Sequence, residues 1–125
     1  TAIHKAREIF PHPTFEQGNI CSDTFQSSRH YDVVILSQIL WYIIEAFPVA
    51  LDNCSRLIGD GGHLVFTNAF LRSPQRYAAD IIDGFQGLID YLEQNAASTF
   101  RITASDYDDS HQFHHHDGLV VLSPT

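Results

Sequence analysis

Polar and aromatic side chains follow two apolar runs of the sequence, in positions where they could bind a ligand. Ser37, Gln38, Trp41 and Tyr42 come after the run Val-Val-Ile-Leu at 33–36, and Asn68, Phe70, Arg72, Arg76 and Tyr77 follow the run His-Leu-Val-Phe-Thr at 63–67. If both runs are parallel strands, both sets lie near the carboxyl ends of strands, where α/β folds bind ligands. Alternatively, Trp41 and Tyr42 could belong to the core, and Arg72 and Arg76 could be solvated surface residues.

A second candidate site is the histidine-rich segment near the end of the chain. It contains His111, His114, His115 and His116, together with Asp106, Asp108, Asp109 and Asp117. Imidazole and carboxylate groups suit zinc or nickel. The spacing matches no closed structural zinc site, however, and on a strand only His114 and His116 would face the same side. We therefore expect a solvated hairpin tip, with His111, His114 and His116 as the remaining candidate metal ligands.

The elements that must position the first set form a strand–helix–strand unit. Residues 32–36 are apolar on both faces, as in a parallel sheet covered by helices. From Phe47 the apolar residues recur at helical spacing, and Pro48 suits a first helical turn. Glycines at 59, 61 and 62 are expected to end that helix before a second buried strand at 63–67. A crossover of this length predicts parallel pairing of the two strands.

The remaining patterns predict shorter elements on either side of this unit. Residues 2–10 have helical spacing, and 14–20 form a candidate strand weakened by Gly18. Asp83 and Gln86 suggest a capping box that opens a further helix. Residues 100–105 alternate in polarity like a half-buried strand, and 118–122 form a final apolar strand. We expect one domain spanning residues 1–125.

Composition excludes several classes of function. The formal net charge is −8, which argues against a nucleic-acid partner because a phosphate backbone requires a basic surface. The two cysteines have neither metal-ligand nor redox spacing. Neither a signal peptide nor an apolar run of about 20 residues is evident, so we expect no membrane partner and a cytoplasmic location.

The most specific stretch is Tyr31-Asp32-Val33-Val34 followed by Ser-Gln-Ile-Leu-Trp-Tyr at 37–42. Together with Gly61-Gly62-His63-Leu64, it resembles the second half of the class I S-adenosylmethionine-dependent methyltransferases. The resemblance implies an α/β fold with an incomplete Rossmann-like sheet. This sheet would be mostly parallel, with a C-terminal antiparallel hairpin and helices on both faces.

The resemblance also implies a function and a set of binding residues. The cofactor would be S-adenosylmethionine, and the acceptor of the methyl group would be a small molecule. The implied cofactor contacts are Asn19, Ile20, Ser37, Gln38 and Trp41, and the implied substrate contacts are Tyr42, Asn68, Phe70, Arg72, Arg76 and Tyr77. Asn19 stands where the family commonly has an acidic residue, and its amide oxygen can also accept a hydrogen bond. No fixed catalytic residue is implied, because the chemistry consists mostly of holding the reactants in line.

One part of the family pattern does not occur in the 125 residues. No glycine-rich strand-to-helix turn precedes residue 32, and in the family this turn holds the cofactor. Because Thr1 is not an initiator methionine, we expect the sequence to belong to a longer product. Because the cofactor-binding turn is missing, we expect the 125 residues to be inactive alone. The strand at 32–36 would then be an open edge, which predicts self-association there. The alternatives are a non-catalytic, dimerising module with this fold and a metal-binding module built on the histidines.

Overall fold

A computed structural model describes residues 1–71, 75–110 and 115–125 of the chain. Four helices and four strands alternate through most of this part of the sequence. In chain order they are α1 (Ala2–Ile9), β1 (Tyr31–Ser37), α2 (Leu40–Ile43), a short 3₁₀ turn (Ile44–Ala46), α3 (Phe47–Leu57), β2 (Ile58–Leu71), α4 (Gly84–Asn95), β3 (Phe100–Tyr107) and β4 (His115–Pro124). No helix of the described ranges is long and apolar enough to span a bilayer.

The strands form one open sheet in the order β1-β2-β4-β3. β1 and β2 pair in parallel, with Ile35 opposite Val65, which confirms the predicted strand–helix–strand unit. β4 runs antiparallel both to β2 and to β3. Three strands therefore point in one direction and only β4 opposes them, which agrees with a mostly parallel sheet that ends in an antiparallel hairpin.

The hydrophobic core lies on one face of this sheet. Phe47 of α3 packs edge-on against Phe66 of β2 at 5.6 Å between ring centroids, and Phe85 of α4 packs against Phe70 of β2 at 5.5 Å. Alternate residues of the strands complete the core, among them Leu36, Leu64, Val120 and Leu122. The helices that contain buried residues, α2, α3 and α4, all contribute to this core.

The opposite face of the sheet is open, which differs from the expectation of helices on both faces. Val33 and Ile35 of β1 leave 48% and 61% of their surface exposed, and Leu119 of β4 is also exposed. α1 has no buried residue, and Arg7 connects it to the following segment by donating a hydrogen bond to the carbonyl oxygen of Phe15. The described helices therefore leave an apolar sheet surface uncovered.

β2 begins earlier than the sequence pattern indicates. α3 ends at Leu57, and the next residue, Ile58, already has extended backbone angles and pairs with Tyr31. The glycines at 59, 61 and 62 consequently lie inside β2 and do not cap the helix in a left-handed conformation, so that part of the prediction was wrong. Gly62 is required for another reason: a Cβ atom there would come within 2.8 Å of the carbonyl oxygen of Asp32.

The candidate strand at residues 14–20 is not a strand. It is irregular and ends in a turn, in which the backbone N–H of Ser22 donates to the carbonyl oxygen of Asn19. A strand needs a neighbour with which to form a ladder, and the described sheet ends at β1 without pairing to this segment. The family-based expectation for this segment was therefore wrong for the described chain.

α4 begins after Asp83 as predicted, but the capping box does not form. No side-chain hydrogen bond from Asp83 caps the helix, and its Oδ1 instead accepts from the backbone N–H of Gln75 at 2.9 Å. Gln86 donates to Asp90 one turn further along the helix. Asp83 thus joins the start of α4 to the segment that follows β2.

Candidate functional site

Gln38 connects the carboxyl ends of β1 and β2. Its backbone N–H donates to the carbonyl oxygen of Thr67 at 2.7 Å, and its Oε1 accepts from the N–H of Ala69 at 2.9 Å. Its φ of 56° lies in the left-handed region, which non-glycine residues seldom adopt. Such a conformation persists only where the surroundings enforce it, and residues that adopt it cluster at functional sites.

Two further hydrogen bonds attach α2 to the same end of β2. The buried side chain of Asn68 accepts from the N–H of Leu40 at 3.3 Å and thereby caps an otherwise uncapped helix. The indole N–H of Trp41 donates to the carbonyl oxygen of Ala69, also at 3.3 Å. The polar edge of Trp41 is therefore occupied, and its ring packs edge-on against Phe70 at 5.6 Å.

A cavity of about 540 Å³ opens beside this junction. Its volume lies within the range of small-molecule binding sites, about 300–1,000 Å³. Seven of the residues proposed from sequence line it: Gln38, Trp41, Tyr42, Asn68, Phe70, Arg76 and Tyr77. The structure therefore brings these seven together at the carboxyl ends of two parallel strands, while their roles in binding stay predictions.

Four other proposed contacts lie elsewhere or outside the described residues. Ser37 accepts a hydrogen bond from the Thr67 hydroxyl at 3.1 Å and is not among the cavity-lining residues. Asn19 and Ile20 do not line the cavity either. The Oδ1 atom of Asn19 accepts from the backbone N–H of Cys21, so one of its two lone pairs is already used. Arg72 lies outside the described residues.

Asn53 is a structurally important residue that the sequence analysis did not identify. It lies fully buried on α3, and its Nδ2 donates to the carbonyl oxygens of Ile20 and Ser22 at 2.7 and 2.8 Å. Arg56 donates in turn to its Oδ1. The only signal in the sequence was an asparagine at a core position of an amphipathic helix, because an amide that becomes buried there requires hydrogen-bond partners. Through these bonds Asn53 positions the segment that contains Asn19 and Ile20.

A second, more polar cavity of about 590 Å³ shares Gln38 with the first. Its walls include the carboxylates of Asp106, Asp108 and Asp117. Within the described ranges, no group of three His, Cys, Asp or Glu side chains is arranged to hold a metal ion. The two cavities thus differ in charge: Asp106, Asp108 and Asp117 line this one, and Arg76 lines the first.

His116 differs from the expectation of a solvated tip, whereas Asp106, Asp108 and Asp109 of the same segment are exposed. His116 lies in β4 with only 1% of its surface exposed, and its Nδ1 is 2.6 Å from the carbonyl oxygen of Asp108. Its ring also contacts that of Tyr107 at 5.6 Å between centroids. His116 therefore packs inside the hairpin. The other two candidate ligands, His111 and His114, lie outside the described residues.

Comparisons with known proteins give matches among solved structures. No family model matches the sequence, and no curated protein matches it. The N-methyltransferase NodS from Bradyrhizobium japonicum WM9 superimposes with a TM-score of 0.70 at 18% identity, over 97% of this chain and 66% of the NodS chain. The PH0226 protein from Pyrococcus horikoshii OT3 gives a TM-score of 0.70 at 16% identity, over 98% of this chain and 66% of that one.

A third similar structure, a SAM-dependent methyltransferase from Leishmania major, has a TM-score of 0.63 at 9% identity and covers 95% of this chain. The chain spans 50% of that enzyme's length and slightly less than two thirds of NodS. At these identities the likeness establishes the fold. The chain therefore has the class I S-adenosylmethionine-dependent methyltransferase fold.

Proposed function

We propose that the cavity beside Gln38 is the methyl-acceptor side of an S-adenosylmethionine-dependent methyltransferase site. The observation that carries the proposal is the left-handed turn at Gln38, which joins two parallel strands at the mouth of this cavity. Ligands of open α/β sheets bind at this end of the strands. The likeness to NodS, an N-methyltransferase, supports the reaction class. A small-molecule acceptor fits the size of the cavity.

The cofactor would contact Asn19, Ile20, Ser37, Gln38 and Trp41 in this proposal. S-adenosylmethionine, when bound, supplies a methyl group already activated by its sulfonium. Two polar groups fit such a ligand: Gln38 Nε2 has no hydrogen-bond partner among the described residues, and Asn19 Oδ1 retains a lone pair. The glycine-rich turn of the family is not among the 125 residues, so we propose that they bind the cofactor weakly and are inactive alone.

The residues of the cavity would act by orientation. The hydrogen bonds of Gln38, Asn68 and Trp41 fix the wall on which the acceptor would rest, and the aromatic side chains would cover part of the bound acceptor. Holding two reactants in line removes much of the entropic barrier of a bimolecular step. The proposal therefore assigns no general base, and the contacts of Tyr42, Phe70, Arg72, Arg76 and Tyr77 with the acceptor are those implied by the resemblance.

The test is a titration with S-adenosylhomocysteine monitored on Trp41. The chain contains one tryptophan, so its indole N–H gives a single resonance in a ¹H–¹⁵N spectrum. We expect this resonance to shift with a dissociation constant of about 1 mM, and the Gln38→Ala variant to bind several-fold more weakly. Gln86→Ala, which changes a glutamine on the surface of α4, is the matched control and should bind like wild type. An indole resonance that does not respond would exclude a cofactor site formed by these residues.

A second candidate function is a non-catalytic module that self-associates. The observation that favours it is β1, which pairs only with β2 in the described sheet and presents exposed Val33 and Ile35. An exposed apolar edge strand is a template for pairing with another chain. We propose that copies associate through the edge at 32–36, a property compatible with either function. Cofactor binding distinguishes the two, because the module without catalysis has no S-adenosylhomocysteine affinity.

A further inference from the structure

The cavity beside Gln38 has aromatic walls that solvent can reach. Trp41, Tyr42, Phe70 and Tyr77 all line it. Tyr42 and Tyr77 leave 87% and 56% of their surface exposed, whereas the Phe70 ring is buried. Exposed aromatic rings gathered around one concavity indicate a surface that a ligand covers. Flat apolar molecules match such walls best, because aromatic rings prefer offset-stacked or edge-to-face contacts.

The polar side chains of this cavity are largely engaged within the protein. Asn68 bonds the N–H of Leu40 and the carbonyl oxygen of Ala69, and the indole N–H of Trp41 also donates to Ala69. The buried amide of Gln75 donates to the carbonyl oxygens of Tyr77 and Ile82 and accepts from the N–H of Gly84. These amide and indole groups hold the walls in place. They leave few polar atoms to match a strongly hydrogen-bonding ligand.

Arg76 and the Nε2 atom of Gln38 are the exceptions. Arg76 is the one cationic side chain among the described residues that line the cavity, and none of the described residues forms an ion pair with it. Cations are scarce in this chain, which has seven Lys and Arg against fifteen Asp and Glu. The second cavity, which shares Gln38 with this one, is lined by Asp106, Asp108 and Asp117. An anionic group would be attracted to the Arg76 end and repelled from the acidic end.

We infer that the acceptor bound in this cavity is a flat, aromatic molecule carrying an anionic group such as a carboxylate. The ring stacks against the exposed rings of Tyr42 and Tyr77, and the anion pairs with the Arg76 guanidinium, which binds carboxylates in a bidentate geometry. The carboxylates of the acidic cavity disfavour the reversed orientation of the ligand, in which its anionic group would point toward them. This inference rests on the proposed function for the word acceptor, while the ligand class itself follows from the walls and the charges.

Three probes separate the ring from the charge. Cinnamate has both features, cinnamamide has the ring without the charge, and acetate has the charge without the ring. Each is titrated into the protein while the single indole resonance of Trp41 is followed. We expect cinnamate to bind about 5-fold more tightly than cinnamamide, the size of a partly exposed ion pair, and acetate to leave the resonance unmoved. Equal binding of cinnamate and cinnamamide, or no response to either, overturns the inference.

Two arginine variants locate the charge. Arg76→Gln should abolish the preference for cinnamate while keeping cinnamamide binding, because it removes the cation and leaves the aromatic walls. Arg101→Gln makes the same change of charge at an exposed position of β3 and should keep the full preference. Tyr77→Ala should weaken both probes by a similar factor, since it removes part of the wall. A preference that survives in Arg76→Gln would contradict the assignment of Arg76.

The outcome separates this inference from the methyltransferase proposal. Probe binding needs no cofactor, so a cinnamate preference that depends on Arg76 can be observed even if S-adenosylhomocysteine does not bind. That combination would remove the proposed reaction and keep the ligand class. Cofactor binding without a preference for cinnamate would keep the proposed reaction and remove the ligand class.

Discussion

Gln38 holds the end of β2 through its own side chain: its Oε1 accepts the backbone N–H of Ala69 at 2.9 Å. The backbone N–H of Gln38 also donates to the carbonyl oxygen of Thr67, so one residue makes two hydrogen bonds to the same strand. These two bonds hold the backbone at a φ of 56°. For a residue with a Cβ atom the left-handed conformation costs about 1–2 kcal/mol, so removing the side-chain bond should expose that strain.

Substitutions at Gln38 separate the hydrogen bond from the strain. Gln38→Ala removes the acceptor and keeps the Cβ atom, and we expect it to lower the free energy of unfolding by about 1 kcal/mol. Gln38→Gly removes both, and we expect it to be about 1 kcal/mol more stable than the alanine variant. Urea unfolding monitored by Trp41 fluorescence measures both values. An alanine variant that equals or exceeds the glycine variant in stability would show that the backbone carries no strain.

Asn53 is predicted to hold residues 20–22 against α3. Asn53→Leu keeps the approximate volume of the side chain but leaves the carbonyl oxygens of Ile20 and Ser22 without their donor, so we expect a loss of about 2 kcal/mol. Iodoacetamide should also modify Cys21 faster in this variant, because the turn that contains it is released. Asn95→Leu is the control: Asn95 is exposed, and its single bond to Tyr91 closes the end of α4. We expect it to change stability by less than about 0.5 kcal/mol and to leave Cys21 unaffected.

The elements with a strong hydrophobic period were predictable from sequence. The apolar run at 33–36 and the helical spacing from Phe47 predicted β1, α3 and the parallel pairing of β1 with β2, because buried periodicity and crossover length restrict the alternatives. Residues 14–20 could not be assigned in the same way. Whether such a segment becomes a strand depends on a neighbouring strand, and the described sheet supplies none.

The site was predictable in composition and less so in geometry. The polar and aromatic residues after two strands gather around one cavity because parallel strands end at the same edge. The left-handed φ of Gln38 has no signal in the sequence, since glycine or asparagine is the usual residue there. His116 looked solvated because of its polar neighbours, but strand alternation places it opposite Phe70, on the buried face of the sheet.

Gly118 is predicted to tolerate no side chain. A Cβ atom at this position of β4 would lie 2.5 Å from Phe85 and 2.9 Å from Phe70. Because Phe70 lines the cavity, Gly118→Ala should lower stability by about 1–3 kcal/mol and also shift the Trp41 indole resonance. Gly18→Ala is the matched control, since the nearest atom there would be 3.5 Å away at ordinary contact distance. If both variants are equally stable, the aromatic rings around Gly118 rearrange without cost.

Cys54 should make stability fall at high pH. Burial, and to a smaller extent the charge of Cys21, raises the pKa of the Cys54 thiol from 9.0 to about 12. Between these values the unfolded chain loses a proton that the folded chain keeps, so stability is fully present below pH 9 and declines as the pH rises. One proton corresponds to about 1.4 kcal/mol per pH unit.

Chemical denaturation of wild type and Cys54→Ala across this pH range tests the linkage. The difference between the two free energies of unfolding should change by about 1.4 kcal/mol per pH unit, because all other titrating groups are common to both proteins. Cys21→Ala should retain most of the decline, since Cys54 remains buried in that variant. Parallel curves for wild type and Cys54→Ala would mean that the folded protein releases the thiol proton as easily as the unfolded chain does.

Self-association through β1 should depend on the exposed residues of that strand. Ile35 leaves 61% of its surface exposed on the open face, and Ile35→Lys would place a charge beside the edge of every copy. Natural edge strands use lysine to prevent pairing, because burying two like charges is unfavourable. We expect sedimentation equilibrium to give a concentration-dependent dimer for wild type and a monomer for Ile35→Lys.

Ile81→Lys makes the same change at another exposed isoleucine outside the sheet and should leave the dimer intact. A wild-type chain that stays monomeric at all concentrations, or dimers that survive in Ile35→Lys, would exclude the β1 edge as the contact.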